Sequence, residues 1–307
     1  MSKILTIVMY HYVRPVNASP YPGLKGLELD SFLRQLDYLT AWGRIISPDE
    51  LQEPDRWPPN PVLLTFDDGF IDHYLHVFPI LRQRKILGVF SPVVSACRDQ
   101  KMLDVHKLQF ILACVRDPGL IVDHIDYVIQ AHQETLGFTG PGYRATMAKR
   151  RLDTPEVSFI KNMLQRDLPP AWRRPIVDLF FAEHVSADED DFAASLYLNE
   201  NQLKEMCAEG MNLAIHGVSH RWLNRLSAAE QEEEITESIA FLTALGQRRR
   251  TMGMTYPYGG FNQTTIDILK DQGVCWGVTS RSARADLARD EWLKLPRLDT
   301  NDLTSKA

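Results

Sequence analysis

Short apolar runs alternate with helical patterns along most of this chain, and few fold classes accommodate that alternation. The runs lie at Ile4–Tyr10, Arg44–Ile46, Val62–Phe66, Gly88–Val94, Leu213–Ile215, Met252–Tyr256, Cys275–Thr279 and Leu293–Leu298. Helical patterns lie between most of them, and one helix is expected to begin at the capping box Ser227-Ala-Ala-Glu230. Strands that are joined through helices pair in parallel. The pattern therefore predicts an α/β fold with a parallel sheet, and roughly seven strands favour a barrel.

The segment from about residue 97 to about residue 196 interrupts this alternation. It is mostly helical in pattern, at Val105–Val115, Val122–Leu136, Pro155–Gln165 and Pro175–Glu183. With 307 residues, the chain is long enough for one large domain with a sizeable core. We therefore expect a single α/β barrel domain over residues 1–307, with a mainly helical insertion at about 97–196. A lid, a substrate-specificity element and a contact within a homo-oligomer all stay open as roles for the insertion.

Composition and charge exclude several functional classes. The net charge of -6 gives no support for a nucleic-acid binder, and the 44% hydrophobic content is ordinary for a soluble globular protein. The cysteines Cys97, Cys114, Cys207 and Cys275 are scattered without CxxC spacing, which indicates free thiols in a reducing compartment. No run approaches the ~20 apolar residues of a transmembrane helix, and Ile4–Tyr10 is too short for a signal peptide. We expect a cytoplasmic protein without a transmembrane segment.

Polar side chains collect where the predicted strands end. Asp67 and Asp68 follow one apolar run directly. His216 and Tyr258 follow two others, and Arg297 lies near the end of the last. In parallel α/β folds, active sites are built at this carboxyl edge of the strands. Two adjacent carboxylates repel each other, and burying either is costly unless it finds a partner. We therefore expect a positive charge beside Asp67 and Asp68.

The histidine pair His216 and His220 is a candidate source of that charge through a bound metal. Four residues correspond to one helical turn, so both imidazoles could face one point. Two neutral imidazoles and one carboxylate suit a divalent metal such as zinc. One aspartate would then be a ligand, and the other could accept a proton from metal-bound water. The spacing alone also fits two solvated or core histidines, and the double aspartate favours the metal interpretation.

Three motifs occur in a fixed order: TFDDG at Thr65–Gly69, HGVSH at His216–His220 and YPYGG at Tyr256–Gly260. In that order they resemble the first three motifs of the NodB-type polysaccharide deacetylases, carbohydrate esterase family 4. The stretch HRWLNRLSAAEQEEEI resembles the family's sequence after the histidine motif, and MYHYV resembles the first strand of a subgroup. The resemblance spans roughly residues 1–96 and 197–300. It implies a distorted (β/α)7 barrel.

The resemblance also implies a role for each matching residue. Asp67 would be the catalytic base. Asp68, His216 and His220 would hold a divalent metal, with zinc expected first and cobalt, nickel or manganese as alternatives. The backbone N–H of Tyr258 would polarise the substrate carbonyl oxygen. The implied reaction is hydrolysis of an N-acyl group, above all N-acetyl, on an amino sugar of a polysaccharide, a glycolipid or a sugar-nucleotide precursor.

The chain departs from the family pattern at two helper residues. Many members carry an arginine that orients the base where this chain has Thr255. Arg297 is a candidate replacement that could pair with Asp67 or bind a substrate phosphate or carboxylate. The family's last motif usually supplies a histidine that protonates the leaving amine, yet no histidine follows His220. Because amide hydrolysis needs that proton, we expect His11, at the end of the first predicted strand, to be the general acid.

Two tryptophans are candidate sugar contacts, and two alternative functions stay open. Trp276 and Trp222 could wall a sugar-binding groove by stacking, although tryptophans in a core are commoner. A metal-dependent amidase acting on a small cyclic amide is the second enzymatic interpretation, because the insertion and the altered arginine leave room for another substrate. A non-catalytic carbohydrate-binding relative is the third, and the presence of the base and all three ligand candidates counts against it.

Overall fold

The computed structural model describes residues 3–136 and 153–303, which divide into two compact units. The first unit draws on Met1–Pro15, Gly26–Lys101 and Ala193–Ala307, and the second draws on Val16–Lys25 and Met102–Phe192. The part of the predicted insertion at residues 137–152 lies outside the described residues. All candidate site residues belong to the first unit.

Nine strands occur within the described residues, all of them in the first unit. They are β1 (Ile4–Tyr10), β2 (Arg44–Ile45), β3 (Pro61–Asp68), β4 (Val89–Pro92), β5 (Asn212–Leu213), β6 (Met254–Thr255), β7 (Gly277–Ser282), β8 (Ala285–Asp286) and β9 (Leu295–Asp299). A parallel series runs in the order β5-β4-β3-β1-β9-β7-β6. At its sides, β2 pairs in parallel with β3, and β8 pairs antiparallel with β1.

A short contact beyond β5 joins the two ends of this series. Ile215 forms a parallel bridge with Met254 of β6. Its N–H donates to the Gly253 carbonyl at 2.8 Å, and its own carbonyl accepts from the Thr255 N–H at 2.8 Å. The parallel sheet is therefore curled until its edges meet. The predicted α/β fold, a distorted (β/α)7 barrel, is confirmed.

Helices connect the strands and make up most of the second unit. They are α1 (Leu29–Trp42), α2 (Pro48–Leu51), α3 (Phe78–Arg84), α4 (Val94–Arg98), α5 (Asp104–Cys114), α6 (Gly119–Ala131), α7 (Gln133–Leu136), α8 (Pro155–Asn162), α9 (Pro170–His184), α10 (Glu189–Leu196), α11 (Glu200–Ala208), α12 (Ala228–Ala244) and α13 (Gln263–Asp271). One π-helical turn precedes α3 at His73–Val77, and another follows α8 at Met163–Asp167. Among the described helices, none combines the length and the apolar character that crossing a bilayer requires.

The strand that carries the two aspartates is longer than its apolar run predicts. The pattern predicts an end at Phe66, because carboxylates are costly to place in a buried strand. In the structure β3 continues through Asp67 and Asp68, which pair in register with Ser91 and Pro92 of β4. Both aspartates are buried. The strand β3 therefore ends in two adjacent buried carboxylates at the carboxyl edge of the sheet.

Alternation along β3 determines which of these side chains faces the inside of the barrel. Leu64 packs in the core cluster that the sheet shares with the surrounding helices, whereas Leu63 belongs to a separate cluster inside the barrel. Thr65 and Asp67 follow Leu63 at two-residue steps and so share its face. On β9, Arg297 follows the inward-facing Leu295 in the same way. The barrel interior therefore changes from apolar to polar towards the carboxyl edge.

The second unit is helical, as its sequence pattern predicts. Lys107 of α5 is buried, and its ammonium donates to Asp178 at 2.7 Å and to Glu189 at 2.5 Å. Burial disfavours the charged ammonium, but the two carboxylates outweigh it and raise the pKa of Lys107. The Phe110 ring meets the Phe192 ring edge-on, with the centroids 4.9 Å apart. An ion-paired lysine and an aromatic cluster thus stabilise this unit.

Candidate active site

Asp68, His216 and His220 form a buried cluster at the carboxyl edge of the barrel. The Oδ1 atom of Asp68 lies 3.2 Å from His216 Nε2 and 3.4 Å from His220 Nε2. One potential ligand atom from each residue lies within 4.8 Å of the other two. Their exposed fractions are 4%, 2% and 9%. A carboxylate and two imidazoles that converge inside the protein form a donor set that suits a divalent cation.

The backbone bends sharply where Asp68 leaves β3. Asp68 has φ +76° and Gly69 has φ +73°, so both occupy the left-handed region. A Cβ at Gly69 would lie 2.6 Å from the Cys97 sulfur and 3.0 Å from Pro92 Cα, so only glycine fits there. A left-handed conformation at a residue other than glycine costs about 1–2 kcal/mol. The strand therefore holds Asp68 in a strained conformation, which is commonest at functional sites.

The two histidines converge through a loop rather than through a helical turn. Residues 216–220 contain no helix. Gly217 has φ +79° and His220 has φ +52°, and these two positions fold the segment back on itself. A spacing of four is compatible with a helix, but the glycine in the left-handed region favours a tight loop instead. Both imidazoles still reach Asp68.

Backbone contacts determine the orientation of His216. Its Nδ1 atom lies 2.7 Å from the Thr255 carbonyl oxygen. Because that oxygen can only accept, Nδ1 carries a hydrogen, and Nε2 is the ring nitrogen directed at Asp68. Burial opposes the charged imidazolium, but the hydrogen bond to Asp68 and the nearby charge of Asp67 raise the pKa of His216. This arrangement is the usual support of a histidine ligand.

Asp67 has a different partner, the guanidinium of Arg297. Nη1 of Arg297 lies 2.8 Å from Oδ2 and 3.0 Å from Oδ1 of Asp67. The same nitrogen lies 3.1 Å from Thr65 Oγ1, and Nε donates to the Thr279 carbonyl at 3.1 Å. Arg297 is buried and is therefore not a surface arginine. Of the two contacts expected for it, the structure shows the pairing with Asp67.

His11 lies directly after β1, on the same edge as the aspartates. Its Nε2 atom is 3.9 Å from Asp67 Oδ2, and 41% of its side chain is exposed. The buried His73 lies below it, with Nε2 2.9 Å from the carbonyl oxygen of His11. Burial lowers the pKa of His73, so a neutral imidazole donates this hydrogen bond. His11 thus combines a position beside Asp67 with access to solvent.

The aromatic residues separate into one pair near the site and one residue far inside the barrel. Tyr258 has φ +56°, and its ring lies edge-on to His220 with the centroids 4.5 Å apart. The Trp222 ring stacks parallel to Tyr258 at 4.6 Å. Trp276 is fully buried and donates to the Thr251 carbonyl at 3.2 Å. The expectation that Trp276 lines a sugar-binding groove is therefore wrong, because a core position offers no surface to a ligand.

Glu234 is a residue near the site that sequence reasoning missed. It lies on α12 and is 4% exposed. Its Oε2 atom accepts from the N–H groups of Val218 at 2.6 Å and Ser219 at 3.1 Å. A signal was available in the sequence, because Glu234 shares a helix face with the buried residues Gln231 and Ser238. A carboxylate on the buried face of a helix needs partners, and the histidine loop supplies them.

Comparison with known proteins links this site to one family. A family model described as polysaccharide deacetylase matches residues 177–275, a span that includes both histidines and Tyr258. YxkH of Bacillus subtilis (strain 168), which carries the name of a polysaccharide deacetylase, is 30% identical over 95 residues. Residues 177–275 of this chain are therefore similar to a polysaccharide deacetylase domain. The alignment with YxkH covers 31% of this chain and 33% of that protein, so it spans about one third of the curated relative.

Several solved structures share the fold of this chain. The Streptococcus pyogenes deacetylase PplD in complex with acetate aligns over 99% of this chain and 97% of its own, with a TM-score of 0.60 and 19% identity. IcaB from Ammonifex degensii aligns over 96% and 91%, with a TM-score of 0.54 and 20% identity. The BpsB deacetylase domain from Bordetella bronchiseptica aligns over 97% and 96%, with a TM-score of 0.54 and 16% identity. These likenesses show a common α/β architecture.

Proposed function

We propose that this chain is a metal-dependent hydrolase that removes an N-acyl group, above all N-acetyl, from an amino sugar. One observation carries the proposal: two adjacent aspartates have separate partners. Asp68 lies against His216 and His220, while the carboxylate of Asp67 is held by Arg297. A hydrolase that uses a metal and a separate base needs this division.

The donor set fits a divalent cation, with zinc as the first expectation. Asp68, His216 and His220 offer one oxygen and two nitrogens within a few ångströms, which is the chemistry of a catalytic zinc site with open positions. The Thr255 carbonyl holds His216 with Nε2 directed at the cluster. When bound there, such a cation lowers the pKa of a water molecule towards neutrality and polarises a carbonyl oxygen.

Asp67 is the base in this proposal. It adjoins the ligand cluster in sequence, and the buried Arg297 fixes the direction of its oxygens. A carboxylate so placed accepts a proton from the attacking water. Arg297 therefore performs the orienting task that Thr255 cannot perform, since Thr255 contributes its carbonyl to His216 and its hydroxyl to Ser91 at 2.8 Å.

His11 is the general acid in this proposal. The leaving group of amide hydrolysis is an amine that must gain a proton before the C–N bond breaks. Nε2 of His11 lies 3.9 Å from Oδ2 of Asp67, and its 41% exposed side chain can meet a substrate. The hydrogen bond from His73 holds the backbone of His11 at the end of β1. The backbone N–H of Tyr258 is proposed to stabilise the developing oxyanion.

An acetate-release assay tests the proposed function. The full-length protein is given N-acetylated oligosaccharides, N-acetylated sugar nucleotides and a cyclic imide, before and after removal of metal by a chelator. We expect acetate release from an N-acetylated carbohydrate, loss of release after chelation, and recovery when zinc is added back. His216→Ala should lose zinc, whereas His184→Ala, at an exposed position of α9, should keep it. Release that continues unchanged in metal-free protein, or hydrolysis of the imide alone, would contradict the proposal.

A further inference from the structure

Glu234 is a buried carboxylate that the proposed reaction does not use. It projects from α12 under the loop that joins His216 to His220. Besides the two N–H donors at 2.6 and 3.1 Å, it accepts the hydroxyl of Ser219 through Oε1. Charged acceptors make hydrogen bonds that are stronger than those between neutral groups. The three donors all come from two consecutive residues, Val218 and Ser219, of the histidine loop.

The opposite side of the same loop is held by α4. The N–H of Val94 donates to the Gly217 carbonyl at 3.2 Å, and the N–H of Ser95 donates to the Val218 carbonyl at 2.9 Å. The loop therefore uses its N–H groups towards Glu234 and its carbonyl groups towards α4. A segment without helix or strand pairing usually leaves such groups to solvent, and here both sets have protein partners.

Close packing makes the fit between the loop and Glu234 specific. A Cβ at Gly217 would lie 2.9 Å from Oε2 of Glu234, and Gly217 itself has φ +79°. His220, at the other end of the loop, occupies the left-handed region with φ +52°. A histidine keeps that conformation only where its surroundings compensate for its cost. The hydrogen bonds of Glu234 to the two residues before His220 supply such compensation.

We infer that Glu234 is a positioning residue that sets the affinity of the site for a divalent cation. This inference rests on the proposed function, because the proposed function assigns the cation to Asp68, His216 and His220. Among the described residues, the clustered donor group contains those three and does not include Glu234. Glu234 therefore acts through the loop: it keeps His220 Nε2 turned towards Asp68. Without an acceptor at position 234, the N–H groups of Val218 and Ser219 lose their charged partner, and the loop relaxes away from the geometry that both imidazoles need.

Zinc titration of the metal-free, full-length protein tests this inference. Zinc is added in competition with a chromophoric chelator, and the dissociation constant is compared among four variants. Glu234→Met keeps the length of the side chain but offers no strong acceptor, and we expect about 10- to 100-fold weaker zinc binding. Glu234→Gln retains one oxygen for the two N–H groups, and we expect it to stay within about 3-fold of the parent protein.

Two further variants keep the test decisive. Glu233→Gln removes the same charge from the exposed neighbour on α12 and should leave the dissociation constant unchanged. If Glu234→Met does not fold, Glu234→Asp keeps the charge and withdraws it from the loop, and it should also weaken zinc binding. The titration is run under conditions in which the far-ultraviolet circular dichroism of each variant matches that of the parent, so that only folded proteins are compared. A merely structural role of Glu234 would lower thermal stability without changing zinc affinity.

The outcomes separate this inference from the proposed function. A parent protein that binds no zinc would contradict the proposed function itself. A parent that binds zinc, together with folded Glu234→Met or Glu234→Asp proteins that bind it equally well, would overturn the role of Glu234 alone. Weak binding by Glu234→Met that Glu234→Gln restores would support it.

Discussion

Arg297 and Asp67 form a buried ion pair across 230 residues of sequence. Each side chain is 2% exposed, and the shortest distance between their charged atoms is 2.8 Å. Asp68, the next residue, turns instead towards two imidazoles. Of the two adjacent carboxylates of β3, Asp67 thus pairs with the guanidinium of Arg297, and Asp68 contacts two histidines. This division explains how two neighbouring acids can both be buried.

Replacing Arg297 should destabilise the protein strongly. Arg297→Met leaves the carboxylate of Asp67 buried without its cation, and breaking a buried pair in this way costs about 3–5 kcal/mol. We expect the free energy of unfolding, measured by urea denaturation of the metal-free protein, to fall by that amount.

Arg281 provides the matched control for this substitution. It also pairs with an aspartate, Asp290, but 55% of its side chain is exposed. Arg281→Met should change the free energy of unfolding by less than about 1 kcal/mol. Equal effects of the two substitutions would show that the pair of Arg297 with Asp67 contributes no more than a surface contact.

Replacing His11 should affect amides and activated esters unequally. An amine leaving group needs a proton, whereas an aryl oxide leaves readily without one. His11→Ala should therefore lower kcat for an N-acetyl sugar by about 100-fold or more, while hydrolysis of an aryl acetate changes little. The measurement compares both substrates on one protein preparation. Equal losses on the two substrates would argue against a general acid at position 11.

Because His73 is buried, we expect it to contribute to a fall in the free energy of unfolding as the pH drops into the mildly acidic range. Its pKa is lowered by burial, so the folded state binds its proton less readily than the unfolded state does. The stability that this neutral histidine contributes is complete above the ordinary histidine pKa of about 6.5 and is lost as the pH falls towards its lowered value. One such group contributes a slope of up to about 1.4 kcal/mol per pH unit.

His73→Gln tests that contribution, because a glutamine amide can still donate to the His11 carbonyl. Urea denaturation between pH 7 and pH 4 should show a shallower loss of stability for this variant than for the parent protein. His184→Gln, at an exposed position, should follow the parent curve. A His73→Gln curve that runs parallel to the parent curve would contradict the contribution of His73.

The strand series and the three motifs could be predicted from the sequence because each depends on local pattern. β1 spans Ile4–Tyr10 as the apolar run indicates, and Ser227 caps α12 through the predicted capping box. The convergence of Asp68 with His216 and His220 also follows from placing polar residues at the carboxyl ends of parallel strands. These features need no knowledge of distant contacts beyond the parallel order of the strands.

Other features depend on how the barrel closes, and local pattern does not carry them. The spacing of His216 and His220 fits a helical turn as well as a loop. The structure shows a loop, in which Gly217 has a positive φ that an α-helix does not contain. The sequence alone does not distinguish a tryptophan that lines a groove from one that fills a core. The structure places Trp276 in the buried cluster inside the barrel. Glu234 stands in a run of three glutamates, of which the packing of α12 buries one.

The proposed division between base and ligand is tested most directly by comparing zinc content and acetate release in Asp67→Asn and Asp68→Asn. The substitutions are isosteric, adjacent and equal in charge, so they differ only in the partner that each residue faces. We predict that Asp67→Asn retains zinc at the parent stoichiometry and loses acetate release by about 100-fold or more, whereas Asp68→Asn loses the zinc itself. Loss of zinc in Asp67→Asn, or full zinc occupancy in Asp68→Asn, would contradict the division between base and ligand.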